Sequence, residues 1–139
     1  MKEINQAFVT HLRGLGLQAF MEYAPEKIGM QKVERPYIIV TTQTNVPADT
    51  MPGSVYPTHP LQGDVTTVRL DICSKEDSSD EAYLIYRKID TFFNYINSAD
   101  FVIFNRQTIR VWRDETSGPQ RDAINGWIIS TIYSVESTA

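Results

Sequence analysis

The sequence predicts a single α+β domain, in which two helices pack on a mainly antiparallel sheet in the order α-β-β-(long loop)-β-α-β-β. Two observations lead to this prediction. Two segments repeat apolar residues at the spacing of an α-helix, and several others alternate apolar with polar residues or are rich in β-branched residues. Helices that each bury one face against a shared sheet form the economical packing. The chain has 139 residues, 42% of them hydrophobic, so residues 1–139 are predicted to form one domain with one core.

The first helix is predicted over residues 3–15. Its apolar residues recur at gaps of four, four and three and therefore share one helix face: Ile4, Phe8, Leu12 and Leu15. Gly14 and Gly16 are expected to end this helix, because glycine adopts the left-handed conformation of a helix C-terminus without steric cost.

The second helix is predicted to begin at a capping box formed by Ser78 and Glu81 and to continue to about Asn97. A continuous apolar stripe predicts its buried face: Ala82, Ile85, Ile89, Phe92, Phe93 and Ile96. Leu84 and Tyr95 fall beside this stripe. Two interpretations of them remain open, namely packing under loops and contact with a neighbouring subunit.

Five segments are predicted to be strands: residues 18–23, 37–42, 65–73, 108–113 and 126–135. The first is an expected edge strand, and the second follows Pro36 as a buried run. The third alternates cleanly, which is typical of an antiparallel strand with one buried face. Ser117-Gly118-Pro119 predicts a turn between the last two strands.

A long proline-rich loop is predicted over residues 44–63, which hold four of the seven prolines in the chain. Loops of this length are uncommon in compact domains unless they are functional or disordered. Apolar side chains are interleaved with the prolines, among them Met51, Val55 and Tyr56. One interpretation is a loop that packs on its own domain. The other is a loop that docks on another subunit, with these three residues in the contact.

The sequence contains no recognisable catalytic, cofactor-binding or metal-binding pattern, so the protein is not expected to be an enzyme. His11, His59 and Cys73 lack metal-ligand spacing, and each is interpreted as a structural or surface residue. The acidic residues between 71 and 81 lack the central glycine of a calcium loop. A net charge of −4 argues against a protein that grips nucleic acid.

Compartment signals are few. No apolar run approaches the length of a membrane span, and the first residues do not resemble a secretion signal. A single cysteine is compatible with a reducing compartment. The sequence therefore predicts neither a membrane protein nor a secreted one.

A candidate interaction surface is predicted near the C-terminus, where arginines lie around a tryptophan. Arg110 and Trp112 share a strand face, and Arg106 precedes them. Arginine beside exposed tryptophan is typical of an interface hot spot. The alternative is that Trp112 lies in the core while the arginines of this region pair in solution with nearby acids: Asp114, Glu115 and Asp122.

The order of elements resembles that of the tail terminator (tail completion) proteins of long-tailed bacteriophages. Three phrases carry the resemblance: Pro36-Tyr37-Ile38-Ile39-Val40, the strand from Val68 to Lys75 that leads into the helix at Ser78, and the late strand from Gly126-Trp127 to Val135. It covers most of the chain, rests on element order and chain length without a signature motif, and carries over no catalytic residue.

This resemblance implies a structural virion protein of the tail or neck, made in the bacterial host cytoplasm. It implies a hexameric ring that caps the tail tube, stops its polymerisation and offers a surface to the head-side connector. Its partners would be further copies of itself, the tail tube protein and a connector or stopper protein, while DNA passes through without specific binding. Two alternatives remain open: another neck protein, such as a head-completion stopper or adaptor, and a small ligand-binding domain.

Overall fold

The computed structural model describes residues 2–47, 63–75, 77–94, 96–122 and 126–138, and they form the predicted α+β architecture. The helices are α1 (Lys2–Gly14) and α2 (Asp80–Phe93), with a 3-10 turn at Ser98–Asp100. The strands are β1 (Ala19–Met21), β2 (Lys27–Ile28), β3 (Gln31–Lys32), β4 (Tyr37–Pro47), β5 (Asp64–Cys73), β6 (Gln107–Arg121) and β7 (Trp127–Thr138).

Five strands form one sheet in the order β1-β4-β5-β7-β6, and β2 pairs with β3 in a separate hairpin. The pairs β4–β5, β5–β7 and β6–β7 are antiparallel, whereas β1 runs parallel to β4. The prediction of a mainly antiparallel sheet with an edge strand near residues 18–23 is thus confirmed.

Strand β4 is longer than predicted, because the segment expected to open the long loop continues the sheet. Thr44 and Asn45 pair with Thr67 and Thr66 of β5 after a bulge that follows Thr42. The hydroxyl of Thr66 also donates to Asn45 Oδ1 at 2.7 Å. The prediction that residues 44–47 belong to the loop is therefore wrong. Residues 48–62, with the predicted contact residues Met51, Val55 and Tyr56, lie outside the described residues.

The turn predicted at Ser117-Gly118-Pro119 is also wrong, because these residues lie inside β6 at a bulge between Ser117 and Gln120. Gly118 has φ +98°, and a Cβ atom there would lie 2.8 Å from the carbonyl oxygen of Ile128. Glycine thus allows the backbone conformation of the bulge, and the bulge bends the strand without ending its pairing. The chain reverses after Arg121 instead.

Helix α2 differs from its prediction at both ends. Ser79, not Ser78, occupies the N-cap position, and it makes no side-chain capping bond. Ser78 Oγ accepts from the amide of Asp80, while Glu81 reaches back to the amide of Lys75 at 2.9 Å, so the predicted capping box is wrong. The helix ends at Phe93 because Asn94 is extended and its Oδ1 accepts from the amide of Arg113 in β6.

Both helices cover the same face of the sheet, and the core lies between them and that face. Its centre is an aromatic cluster: the ring of Phe8 lies 5.0 Å from Phe93 and 4.9 Å from Phe101, and Phe93 lies 5.8 Å from Tyr133. All four rings are almost fully buried. Since each comes from a different element, this cluster joins α1, α2, β7 and the segment before β6.

Candidate interaction surfaces

The face of the sheet opposite the two helices is the first candidate surface, and we call it the open face. Among the described residues no helix covers it. The strand register places half-exposed apolar side chains there, including Ile39, Ile128 and Ile132. Among the described strand residues, its charged side chains are four acids and two arginines: Asp71, Asp114, Glu115, Glu136, Arg69 and Arg110. The open face is therefore amphipathic with an acidic excess.

Two of the predicted site residues meet on the open face. The guanidinium of Arg110 lies over the ring of Trp112 at 4.5 Å from its centroid, and its Nε donates to Glu136 Oε1 at 2.9 Å. Arg110 is 65% exposed, whereas Glu136 is 15% exposed. A cation stacked on tryptophan and held by a carboxylate is a rigid, amphipathic contact element. Trp112 is half-buried on this face, not part of the helix-covered core.

Arg106 does not join them. Its Nε donates to Ser137 Oγ at 2.9 Å and its Nη2 donates to Asp64 Oδ2 at 3.1 Å. Ser137 points to the helix-covered face, and the Arg106 side chain is only 13% exposed. Arg106 therefore ties the start of β5 to the end of β7, and its predicted contact with another subunit stays a prediction.

The other arginines of this region bond to distant residues. Arg113 donates to Asp90 Oδ2 and to the hydroxyl of Tyr86, both at 2.7 Å, and Asp90 Oδ1 accepts from Tyr133 at 2.9 Å. Burial, with the nearby Asp90 carboxylate, raises the pKa of the Tyr133 phenol. This clamp joins α2 to β6 and β7.

The alternative in which these arginines pair with Asp114, Glu115 and Asp122 is wrong for the contacts among the described residues. Arg121 Nη2 lies 3.9 Å from Asp77 Oδ1, and Asp122 pairs with Arg35.

Two further surfaces were not predicted. The first, the hairpin surface, consists of Tyr23, Ile28 and Met30, which are 72%, 57% and 99% exposed. The second, the turn surface, consists of Val102, Phe104 and Ile109, which are 70%, 76% and 38% exposed. Neighbouring exposed apolar side chains on a small domain often mark an interaction site, whereas single exposed apolar residues are common on any protein surface.

Sequence patterns hold little signal for either surface. Residues 101–104 are all apolar, so nothing in the pattern separates buried Phe101 and Ile103 from exposed Val102 and Phe104. In the hairpin, two apolar residues flank a glycine between lysines, which is compatible with a turn or with a short amphipathic strand.

A smaller exposed pair lies on α2, where Tyr83 and Leu84 are 45% and 67% exposed. Of the two interpretations of Leu84, packing under loops is therefore wrong, and contact with a neighbouring subunit stays a prediction. Tyr95 lies outside the described residues.

An open groove of about 850 Å³ lies between α1 and strands β1 and β4, and its described lining contains no histidine, cysteine or serine. No cluster of three metal-ligating side chains occurs in the part of the chain that the structure describes. No helix among the described ranges is long and apolar enough to cross a membrane.

His11 and Cys73 occupy packed positions. The Nε2 atom of His11 accepts from the amide of Val102 at 3.3 Å, and its ring stacks on Phe101 at 5.0 Å. Burial lowers the pKa of His11. Cys73 is buried, and burial raises the pKa of its thiol to about 11. Both side chains are thus packed, as a structural residue would be, whereas His59 lies outside the described residues.

Comparison with known proteins shows a similarity of fold. No family model matches the sequence, and no characterised relative matches it. The fold is similar to a chain from the virion of a native gene transfer agent particle, with a TM-score of 0.61 and 11% sequence identity. The superposition covers 99% of this chain and 93% of that chain. A second solved structure aligns over 96% of this chain and 94% of its own at 17% identity, but its TM-score of 0.49 is too low to bear on the fold.

Proposed function

We propose that the protein is a structural component of a virion, and that it forms a homo-oligomeric ring that terminates a phage tail. In this role the ring caps the tail tube, stops its polymerisation and joins it to the head-side connector. The observation that carries the proposal is the shared fold with a chain of a gene transfer agent virion, a phage-like particle, over nearly the full length of both chains. The order of elements that resembles tail terminators is the second support.

The distribution of exposed apolar groups supports a ring. A closed ring needs a head-to-tail interface, so each subunit must present two different patches. The hairpin surface belongs to the segment between β1 and β4, and the turn surface immediately precedes and includes the start of β6. Strands β1 and β6 are the two edges of the sheet, four strand spacings or about 19 Å apart. A monomer has no evident use for two such patches.

Charge is compatible with a ring through which DNA moves. The chain carries a net charge of −4, and the open face has an acidic excess. Proteins that hold DNA neutralise its phosphates with basic side chains. An acidic ring would allow DNA to slide past without specific binding, and it needs neither a cofactor nor a catalytic residue.

Assembly state is the first experiment. Light scattering on the purified protein should show a species of about 95 kDa, six times the 15.9 kDa chain, alone or on addition of tube protein. A protein that stays monomeric at every concentration, in the presence of its tube protein as well as alone, would contradict the ring.

Tube-end binding is the decisive experiment. Purified protein is added to polymerising tail tubes of the same virus, and tube lengths and ends are measured in electron micrographs. We expect shorter tubes with a ring at one end. Unchanged length with no end-binding refutes the terminator role, and a ring found only on head-side connectors assigns the protein to the neck instead.

The contact role of Met51, Val55 and Tyr56 stays a prediction within this proposal. Replacing Met51 and Tyr56 with serine should abolish tube-end binding while the far-ultraviolet circular dichroism is unchanged. Tube capping at the wild-type protein concentration would remove the loop from the interface.

A further inference from the structure

We propose that the β2–β3 hairpin of one subunit docks on the turn surface of the next, so that Ile28 and Met30 contact Val102, Phe104 and Ile109 of a second copy. This inference deepens the proposed ring and rests on it. It assigns the two halves of the subunit interface to named residues.

The hairpin presents its apolar side chains on a defined frame. Lys27 pairs with Lys32 and Ile28 pairs with Gln31, so Gly29 and Met30 form a two-residue turn. Gly29 has φ +62°, which suits the tight turn. Met30 at the tip is 99% exposed, although methionine is a side chain that usually fills gaps in a packed environment. An exposed apolar tip of this kind is consistent with a partner that buries it.

The backbone that presents the turn surface is also held by hydrogen bonds. Residues 101–106 alternate, with Phe101 and Ile103 buried and Val102 and Phe104 pointing outward. A bridge between Ile103 and Arg106 closes the turn, and Asn105 takes a positive φ of 60°. The hydroxyl of Thr108 donates to the carbonyl of Phe101 at 2.6 Å. Because the backbone is held on both sides, docking would cost little conformational entropy.

Charge complementarity favours the pairing. The hairpin from Glu26 to Val33 carries Lys27, Lys32 and Glu26, a net charge of +1, whereas the turn segment carries the exposed Asp100, since neighbouring Arg106 is paired with Asp64. The thioether of a methionine also packs favourably against an aromatic ring such as Phe104. Two hairpins brought together would place lysines next to lysines. The observations therefore favour hairpin to turn, which is a head-to-tail contact that generates a ring, over a symmetric dimer.

The direct test is intermolecular crosslinking. In a Cys73→Ala background, protein carrying Met30→Cys is mixed with protein carrying Phe104→Cys under mild oxidation. We expect a disulfide-linked dimer in the mixture and only traces with either protein alone. A chain that carries both substitutions should give a ladder that ends at the ring. Exclusive linkage of Met30→Cys to itself overturns the proposal, as does the absence of linkage in a preparation that forms rings.

Assembly measurements supply the second readout. The double variant Ile28→Ser, Met30→Ser should raise the concentration for half-assembly about tenfold or more, as loss of a hot spot does. Lys88→Ser is the control, since Lys88 is exposed on α2 and lies outside both surfaces. Thermal melts at low concentration should be unchanged for both variants, because these side chains contact solvent in the monomer.

Charge reversal separates a specific contact from loss of apolar surface. Lys27→Glu with Lys32→Glu should weaken assembly, and Asp100→Lys in the mixed partner should restore it in part. Rings that form normally with the hairpin variants would refute this inference and leave the proposed function standing. A wild-type protein that never forms a ring, even on tube ends, would refute both.

Discussion

The clamp at Asp90 offers the sharpest test of how α2 is held on the sheet. The Tyr133 side chain is fully buried and its hydroxyl donates to Asp90 Oδ1 at 2.9 Å. The other oxygen of the same carboxylate accepts from Arg113. We predict that Tyr133→Phe, which removes the hydroxyl group and keeps the buried ring, destabilises the protein.

The expected magnitude follows from the surroundings of the bond. A hydrogen bond to a charged group contributes about 1.5–3 kcal/mol to stability. The Asp90 side chain is 21% exposed, so water partly replaces the lost donor, and we expect the lower half of that range. For a chain of this length, about 1.5–2 kcal/mol corresponds to a fall in the melting temperature of roughly 5–8 °C.

Urea denaturation followed by circular dichroism measures the effect, and Tyr83→Phe is the matched control. It makes the same chemical change on α2, at a side chain that is 45% exposed, so its stability should change by less than about 0.5 kcal/mol. A Tyr133→Phe variant as stable as Tyr83→Phe would refute the view that the clamp stabilises the helix on the sheet. A double-mutant cycle with Arg113→Met should then show coupling, because both donors act on one carboxylate.

Two further predictions concern pH and glycine. Burial lowers the pKa of His11 below its usual 6.5 in the folded state, so the unfolded chain takes up a proton first as the pH falls. The free energy of unfolding should therefore decrease below pH 6.5, and less so in His11→Gln, as urea titrations at several pH values would show; equal pH dependence would contradict this. Gly14→Ala should raise stability by about 0.5–1 kcal/mol, because glycine is less favourable than alanine in a helix and a Cβ atom at Gly14 would meet open space. Gly126→Ala should lower stability by about 1–3 kcal/mol. At Gly126 φ is +75° and a Cβ atom would lie 1.8 Å from the carbonyl oxygen of Ser74, so similar melting temperatures for the two variants would refute this assignment.

Local periodicity determined much of the fold from the sequence alone. The stripe with Phe8 and Leu12 predicted α1, and the alternation of Val68, Leu70 and Ile72 predicted the buried face of β5, all of which the structure confirms. These patterns are readable because a helix or a half-buried strand repeats its environment every few residues.

The ends of helices and strands depend on contacts with residues distant in the sequence. Helix α2 stops at Phe93 although its apolar pattern continues, because Asn94 bonds to β6. Strand β6 runs through Gly118 and Pro119 because β7 lies beside it on both sides of the bulge. In each case the deciding partner is distant in sequence, so local propensity gave the wrong boundary.

The candidate site shows the same division. The sequence determined that Arg110 and Trp112 share a face, since side chains two apart on a strand point the same way. Only the tertiary structure decided that Glu136 holds Arg110, that Arg106 is turned to the other face, and that Met30 and Phe104 are left exposed. Whether a side chain is exposed depends on which other parts of the chain pack over it. That packing is determined by the tertiary structure and not by the neighbouring residues in the sequence.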